Sequence, residues 1–152
     1  GNSSALVDAA AACVVVSGKY AKAQGKQPVA RVVAAAAVGV PPEIMGIGPA
    51  PAIRLLLERT GLKLDDIGRF EINEAQGAQT LAVGRELGMD LSRLNVNGGA
   101  IALGHPLAAT GVRLTITLAR EMVRSNIRYG ISSACVGGGQ GIALLIENPL
   151  AV

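Results

Sequence analysis

The chain has 152 residues, of which 50% are hydrophobic and 16% are charged, with a formal net charge of +3. This length is typical of one domain, and the apolar content is sufficient for a sizeable core. With one Phe, two Tyr, no Trp and no block of basic residues, the chain lacks the pattern of a nucleic-acid-binding protein. No apolar run reaches the roughly 18 residues of a membrane span. Two cysteines do not make a disulfide framework, which favours the cytoplasm or an organelle matrix over secretion.

Strands and helices alternate along the chain. Short apolar runs bounded by glycine or proline predict strands, and apolar stripes at helical spacing predict helices. In chain order the sequence predicts a strand over residues 9–17, a helix over 19–25, a strand over 29–40, a helix over 49–60, a strand over 69–75, a helix over 76–87, a helix over about 106–126, and strands over 129–135 and 141–146. The order β-α-β-α-β-α-β-β predicts an α/β fold with a five-stranded, mixed but mostly parallel sheet, covered by helices on both faces.

The only histidine, His105, stands between Gly104 and Pro106, at the start of the last predicted helix. The partial positive charge of a helix N-terminus disfavours an imidazolium there. A neutral imidazole can accept a proton from a thiol or donate one to a thioester oxygen. The alternative is a histidine that caps the helix for structural reasons only.

Cys135 ends an apolar run and meets a glycine turn that begins at Gly137. Glycine lets a backbone approach a ligand closely, and the Gly137 amide could serve as an oxyanion donor. A buried cysteine at a strand end beside a tight turn is an equally good interpretation. A nucleotide-binding loop fits less well, because a strand and not a helix follows the glycines. Taken with His105, the thiol favours proton transfer at a thioester.

Asn73 is expected at the carboxyl end of a strand, where α/β sheets usually bind ligands. The alternative is a turn-forming Asn beside Glu74, which would start the next helix. Cys13, within an Ala/Val run, is interpreted only as a small buried hydrophobic residue.

Five blocks of sequence together resemble the C-terminal half of a thiolase, over the whole length of the chain. In chain order they are Gly1-Asn2-Ser3-Ser4, Met45-Gly46-Ile47-Gly48-Pro49, Asn73-Glu74-Ala75, Asn97-Gly98-Gly99-Ala100 with Gly104-His105-Pro106, and Cys135-Val136-Gly137. Their joint occurrence in this order is highly specific for the family.

The resemblance implies a reversible Claisen condensation, or thiolytic cleavage, of 3-ketoacyl-CoA. It implies that His105 activates a nucleophilic cysteine and helps to bind the thioester oxygen, and that Asn73 holds a water that completes this oxyanion hole. Cys135 would be the acid/base that moves the α-proton of the acyl-CoA, and the Gly137 amide would belong to a second oxyanion hole. The coenzyme A thioester would be the substrate, with no tightly bound cofactor and no metal.

The resemblance also assigns residues to substrate binding. Ser4 and Met45 would line the pantetheine and acyl end of the site. Gln76 stands where the family usually has an aromatic residue, so one wall of the acyl pocket would be polar. Ala108 stands where the family usually has glycine, which is a small change.

The same resemblance implies a partner. In thiolases the acyl-carrying cysteine lies in an N-terminal half, and Cys13 matches no nucleophile motif. Residues 1–152 would therefore be a C-terminal domain that is inactive without an N-terminal half, on the same or a separate chain. We expect acyl-CoA as the ligand, a homo-oligomer (dimer or tetramer), no nucleic-acid partner, and a cytoplasmic location, or a mitochondrial or peroxisomal matrix in a eukaryote.

Two other functions are compatible with the motifs. A decarboxylating ketoacyl synthase-like condensing enzyme would usually present two histidines, or His and Asn, with its cysteine. A non-catalytic thiolase-like subunit would serve as a scaffold or bind CoA. The joint presence of Asn73, His105 and Cys135 favours the thiolase over both.

Overall fold

The computed structural model describes residues 1–151. In chain order its elements are α1 (Gly18–Ala23), β1 (Arg31–Gly39), α2 (Pro49–Thr60), β2 (Arg69–Ile72), α3 (Gly77–Leu87), α4 (Ala100–Leu103), α5 (Thr110–Arg124), β3 (Tyr129–Val136) and β4 (Gln140–Glu147), with short 3₁₀ turns at Pro42–Ile47, Leu64–Asp66 and Leu91–Arg93. None of the helices in this part of the chain combines the length and the apolar character needed to cross a membrane.

Within residues 1–151 the strands form one mixed sheet of four, in the order β1-β4-β3-β2. β2 and β3 are parallel, whereas β4 is antiparallel to both of its neighbours. β1, β2 and β3 therefore run in one direction. β4 lies between β1 and β3 and runs in the opposite direction. The α/β class and the mixed sheet agree with the sequence. The expected fifth strand is absent here, and antiparallel contacts outnumber parallel ones because β4 is central.

The strand predicted over residues 9–17 is wrong. The run is irregular, and Val14 and Val15 are 89% and 79% exposed. Cys13, expected to be buried, is exposed too. An apolar β-branched run forms a strand only where a neighbouring strand completes its hydrogen bonds, and this run pairs with none of the four strands described.

Helices cover both faces of the sheet. Ile53 and Leu56 of α2 are completely buried in the larger core, with Leu145 of β4. Leu118 of α5 is equally buried against the opposite face, with Ile146. Because successive side chains of a strand point to opposite faces, β4 contributes alternately to the two cores.

Glycine ends two helices where the sequence predicts it. Gly61 follows α2 with φ 69°, and Gly88 follows α3 with φ 65°, and each amide donates back into the last turn of its helix. Both are left-handed C-caps, a conformation that costs glycine little.

The helix after His105 starts later than predicted. Pro106 opens a turn, and α5 begins only at Thr110. Leu107, which lies within the predicted helix, is 71% exposed, whereas Leu114 and Met122 of α5 are buried.

Candidate functional site

The carboxyl ends of β2 and β3 place Asn73 and Cys135 at one edge of the sheet. Ile72 pairs with Ser133 in the parallel ladder. The backbone amide of Asn73 then donates to the Ser133 carbonyl at 2.9 Å. Cys135 follows two residues later, near the end of β3. The two side chains therefore belong to the strand-end crevice where α/β sheets bind ligands.

Asn73 is the most unusual polar residue at this edge. Its side chain is completely buried, and neither Oδ1 nor Nδ2 has a hydrogen-bond partner among residues 1–151. Leaving a buried polar group unpaired costs about 1–3 kcal/mol. Such a group indicates a place for a water or a ligand.

The residues around Asn73 are held by a network that the sequence did not reveal. Asn95, with φ 46°, accepts from the Ile72 amide and donates to the Ile72 carbonyl, both at 2.9 Å. Its Nδ2 also donates to Glu74 at 3.0 Å, and Glu74 accepts from the Ile101 amide at 3.0 Å. Glu74 therefore joins two loops and does not start α3, which begins at Gly77. The network fixes both neighbours of Asn73 and leaves its amide free to bind.

The N-terminal segment connects this edge to His105. The Ser4 amide and hydroxyl both donate to the Ala75 carbonyl, at 3.2 and 3.4 Å. The next residue, Ala5, accepts a 2.8 Å hydrogen bond from the His105 amide. Short backbone contacts thus bring Ser4, His105 and the segment after Asn73 into one region.

The surroundings of His105 favour the neutral imidazole. Its pKa is lowered, first by burial and second by the positive charge of Arg113. The sequence predicted the neutral state, but from the helix N-terminus. Because α5 starts five residues after the histidine, burial is the cause that the structure supports.

An open pocket of about 490 Å³ lies beside the imidazole. Its walls come from the N-terminal segment and from the turn before α5, and its residues are Leu6, Val7, Asp8, Ala9, His105, Pro106, Leu107 and Ala108. The histidine therefore faces a space that a ligand or another protein surface can occupy.

Cys135 is half-buried and pairs with Gly141 across the β3–β4 ladder. Burial raises the pKa of its thiol, against a smaller opposite effect of a backbone hydrogen bond. The thiol is therefore protonated at neutral pH, as a proton donor requires. The backbone of Gly48 is so close to Gly141 that a Cβ on Gly141 would lie 1.9 Å from the Gly48 oxygen. This contact brings the turn that contains half-buried Met45 to the same hairpin.

The turn after Cys135 needs glycine, since Gly138 and Gly139 have φ of 84° and 90°. Gly137 is exposed at the start of this turn, and its carbonyl accepts from the Gln140 side chain at 3.2 Å. The backbone amide of Gly137 is thus two residues after Cys135 in the sequence.

Gln76 is exposed and forms an isolated antiparallel bridge with Ser3. It precedes α3, and its amide donates to Gln79 at 3.4 Å. The structure places Gln76 beside the segment that carries Ser4, but it does not bury the side chain.

The sequence missed Asn95, Glu74 in its observed role, and Thr110, whose hydroxyl lies 2.6 Å from His105 Nδ1. Thr110 had a local signal, because it opens the first turn of the helix after the histidine. Asn95 had none, since its role depends on a contact with residues more than twenty positions away.

Comparisons with known proteins identify the family of this chain. The model of the thiolase C-terminal domain matches residues 26–148. An acetyl-CoA acetyltransferase of Pseudomonas aeruginosa is 51% identical over 97% of this chain, which spans 38% of that protein. The crystal structure of the Bacillus anthracis acetyl-CoA acetyltransferase superposes with a TM-score of 0.85 at 52% identity, over 86% of this chain and 33% of that one. Human mitochondrial 3-ketoacyl-CoA thiolase in complex with CoA gives a TM-score of 0.84 at 49% identity, over 86% and 33% of the two chains.

The chain therefore spans less than two fifths of the length of the curated relative. A match to most of its residues, with about half of them identical to those of known thiolases, shows that the chain belongs to the thiolase family and contains its C-terminal domain.

Proposed function

We propose that this chain supplies the proton-handling part of a thiolase active site, for the reversible Claisen condensation or thiolysis of 3-ketoacyl-CoA. The observation that carries the proposal is the buried, unpaired amide of Asn73, at the edge of the sheet that also holds Cys135 and lies next to the segment bound to His105. An amide in this state can hold a water against a developing oxyanion.

Each residue has a distinct part in the proposed reaction. His105 takes the proton of a nucleophilic cysteine and then helps Asn73 and its water to stabilise the oxygen of the thioester. In condensation, after acyl transfer, the Cys135 thiolate removes the α-proton of the second acyl-CoA, which gives a thiol and an enolate. In thiolysis the Cys135 thiol returns that proton to the α-carbon, and the Gly137 amide stabilises the enolate oxygen in both directions. A neutral imidazole suits the activation of the nucleophile, and a protonated thiol suits proton donation in the thiolysis direction; burial favours both states here.

The substrate in this proposal is a coenzyme A thioester, and no tightly bound cofactor or metal takes part. Ser4 and Met45 contact its pantetheine and acyl end, and Gln76 forms a polar part of the acyl pocket. A solved relative named as a 3-ketoacyl-CoA thiolase holds CoA, which supports this substrate class.

The nucleophile must come from elsewhere, because Cys13 lies in an exposed apolar run and matches no nucleophile motif. We propose that an N-terminal thiolase half, on the same or a separate chain, supplies it and covers the pocket beside His105. The apolar run over residues 9–16 precedes the matched domain and is exposed, which makes it a natural part of the contact with that half.

The test is intact-mass spectrometry after incubation with acetyl-CoA. The 152-residue chain alone should show no hydroxylamine-sensitive acetyl adduct. When mixed with the N-terminal part of the Pseudomonas aeruginosa acetyl-CoA acetyltransferase, it should restore thiolysis of acetoacetyl-CoA. The matched control is the same mixture with His105→Ala, which should stay inactive. A stoichiometric adduct on Cys135 of the chain alone would contradict the proposed division of roles.

A further inference from the structure

The hydroxyl of Thr110 contacts the Nδ1 nitrogen of the His105 imidazole. Thr110 is the first residue of α5 and is 3% exposed. Its Oγ1 lies 2.6 Å from His105 Nδ1 and 3.0 Å from the Pro106 carbonyl oxygen. That carbonyl also accepts the Thr110 amide, at 2.9 Å.

These two short contacts determine where the protons lie. A hydroxyl has one hydrogen to donate and two lone pairs that accept. A carbonyl only accepts, so the Thr110 hydrogen points to Pro106. If it pointed to the imidazole instead, two oxygens without a hydrogen between them would face each other at 3.0 Å. This arrangement favours a hydroxyl that accepts from His105, with the proton on Nδ1.

We infer that Thr110 is a positioning residue, which fixes His105 as the Nδ1–H tautomer and leaves Nε2 as the proton acceptor. Its importance for catalysis rests on the proposed function. In nucleophile activation, the thiol S–H bond breaks, an Nε2–H bond forms, and a thiolate and an imidazolium result. The hydrogen bond from Nδ1 to Thr110 is the same before and after this step, so the proton on Nδ1 and the orientation of the imidazole ring do not have to change.

A purely structural role is the competing explanation. Thr60, Thr80 and Thr115 each donate from the hydroxyl to the carbonyl four residues earlier, as Thr110 does. That bond is common in helices and does not point to function. Thr110 differs in its contact with an imidazole nitrogen, and Thr115, on the same helix, is the matched control.

The tautomer can be measured directly, because the chain has only one histidine. Long-range ¹H–¹⁵N spectra of the ¹⁵N-labelled full chain at pH 8 should show the proton on Nδ1. Thr110→Ser and Thr115→Val should show the same state. Thr110→Val, which keeps the shape and loses the hydroxyl, should shift the proton mainly to Nε2, the form that imidazole favours in water. A proton on Nε2 in the unmodified chain would overturn the inference whether or not any variant folds, and so would an unchanged Thr110→Val spectrum.

The turnover rate of the chain combined with an N-terminal thiolase half tests whether the Thr110–His105 contact matters for catalysis. Thr110→Val should lower kcat on the order of 10²-fold, since the general base is in the wrong tautomer, with little change in KM. Thr110→Ser should recover most of the rate, and Thr115→Val should not lower it. A changed tautomer with unchanged kcat would refute the catalytic role. If no thiolase half supports turnover of the unmodified chain, the proposed function fails, while the spectra still decide the role of Thr110.

Discussion

Cys135 illustrates how one side chain acquires its chemistry from its neighbours. Half-burial raises the pKa of its thiol, and the turn that begins two residues later is made of glycines, which carry no side chains. A thiol in this state gives up a proton reluctantly and returns it readily. Its proposed partner is therefore a carbon acid that is already activated by a thioester, with an oxyanion donor nearby.

Replacement of Cys135 by alanine separates the two halves of the proposed reaction. In the complex with an N-terminal half, we expect Cys135→Ala to acylate at the normal rate, because transfer of the acyl group to the other cysteine does not use this thiol. Condensation and thiolysis should fall on the order of 10²–10⁴-fold, the usual cost of a lost general acid/base. Rapid-quench mass spectrometry would follow the acyl-enzyme, and a coupled assay the condensation. The matched control is Cys13→Ala, which should change neither rate; equal losses in both steps for Cys135→Ala would disprove the division of roles.

At the scale of elements, a buried carboxylate connects the loop before His105 to α5. Glu121 is 5% exposed and accepts from Asn97 at 3.0 Å and from Ser125 at 2.7 Å, with further bonds from Arg69 and Arg124. Burial alone would raise its pKa, but the bonds from Asn97, Ser125 and Arg124 lower it to about 2. Glu121 thereby anchors the glycine-rich loop that leads to the histidine.

We expect Glu121→Gln to lower the free energy of unfolding by about 2–4 kcal/mol at pH 7, since it leaves buried donors without their charged acceptor. The matched control is Glu86→Gln. Glu86 pairs with Arg54 on the surface, where both side chains are about half exposed, and its loss should cost less than about 1 kcal/mol. Urea unfolding would measure the free energy of unfolding of both variants.

The acid dependence gives a second check on Glu121. Because its pKa is depressed in the folded state, its stabilisation is present above its ordinary pKa of 4.5 and is lost as the pH falls towards about 2. The deficit of Glu121→Gln should therefore shrink below pH 4.5. A deficit independent of pH would show that packing, and not charge, explains the effect.

The limits of prediction from the sequence follow from the range of each interaction. The ends of α2 and α3 were predictable, because glycine caps act within one turn. The run over residues 9–17 was not, because a strand exists only with a neighbour, and the sequence of the run does not contain that neighbour. The candidate residues were visible as motifs, but the unpaired amide of Asn73 depends on Ser133, Asn95 and Glu74 meeting in space.

At the scale of the whole molecule, apolar surface remains open around the site. Ile142, on the face of the sheet that α5 covers in part, is 47% exposed. Leu107 beside His105 is 71% exposed, and Val14 and Val15 are almost fully exposed. Large apolar side chains that are exposed in a group usually mark an interface. The pocket beside His105 and the exposed apolar run that follows Ala9 are therefore the surfaces that we expect a partner to cover.

We therefore expect the chain alone to self-associate and an N-terminal thiolase half to prevent this, since the same contact would cover the apolar surface and bring a nucleophile to His105. For the chain alone, light scattering should show a particle mass that grows with protein concentration. When the N-terminal half is added, the mass should fall to that of one defined complex. Val15→Ser should weaken both self-association and binding of that half, whereas Leu150→Ser, at an exposed position outside the run, should change neither. A monodisperse monomer without affinity for any N-terminal half would refute the split active site and favour a thiolase-like scaffold or CoA-binding subunit instead.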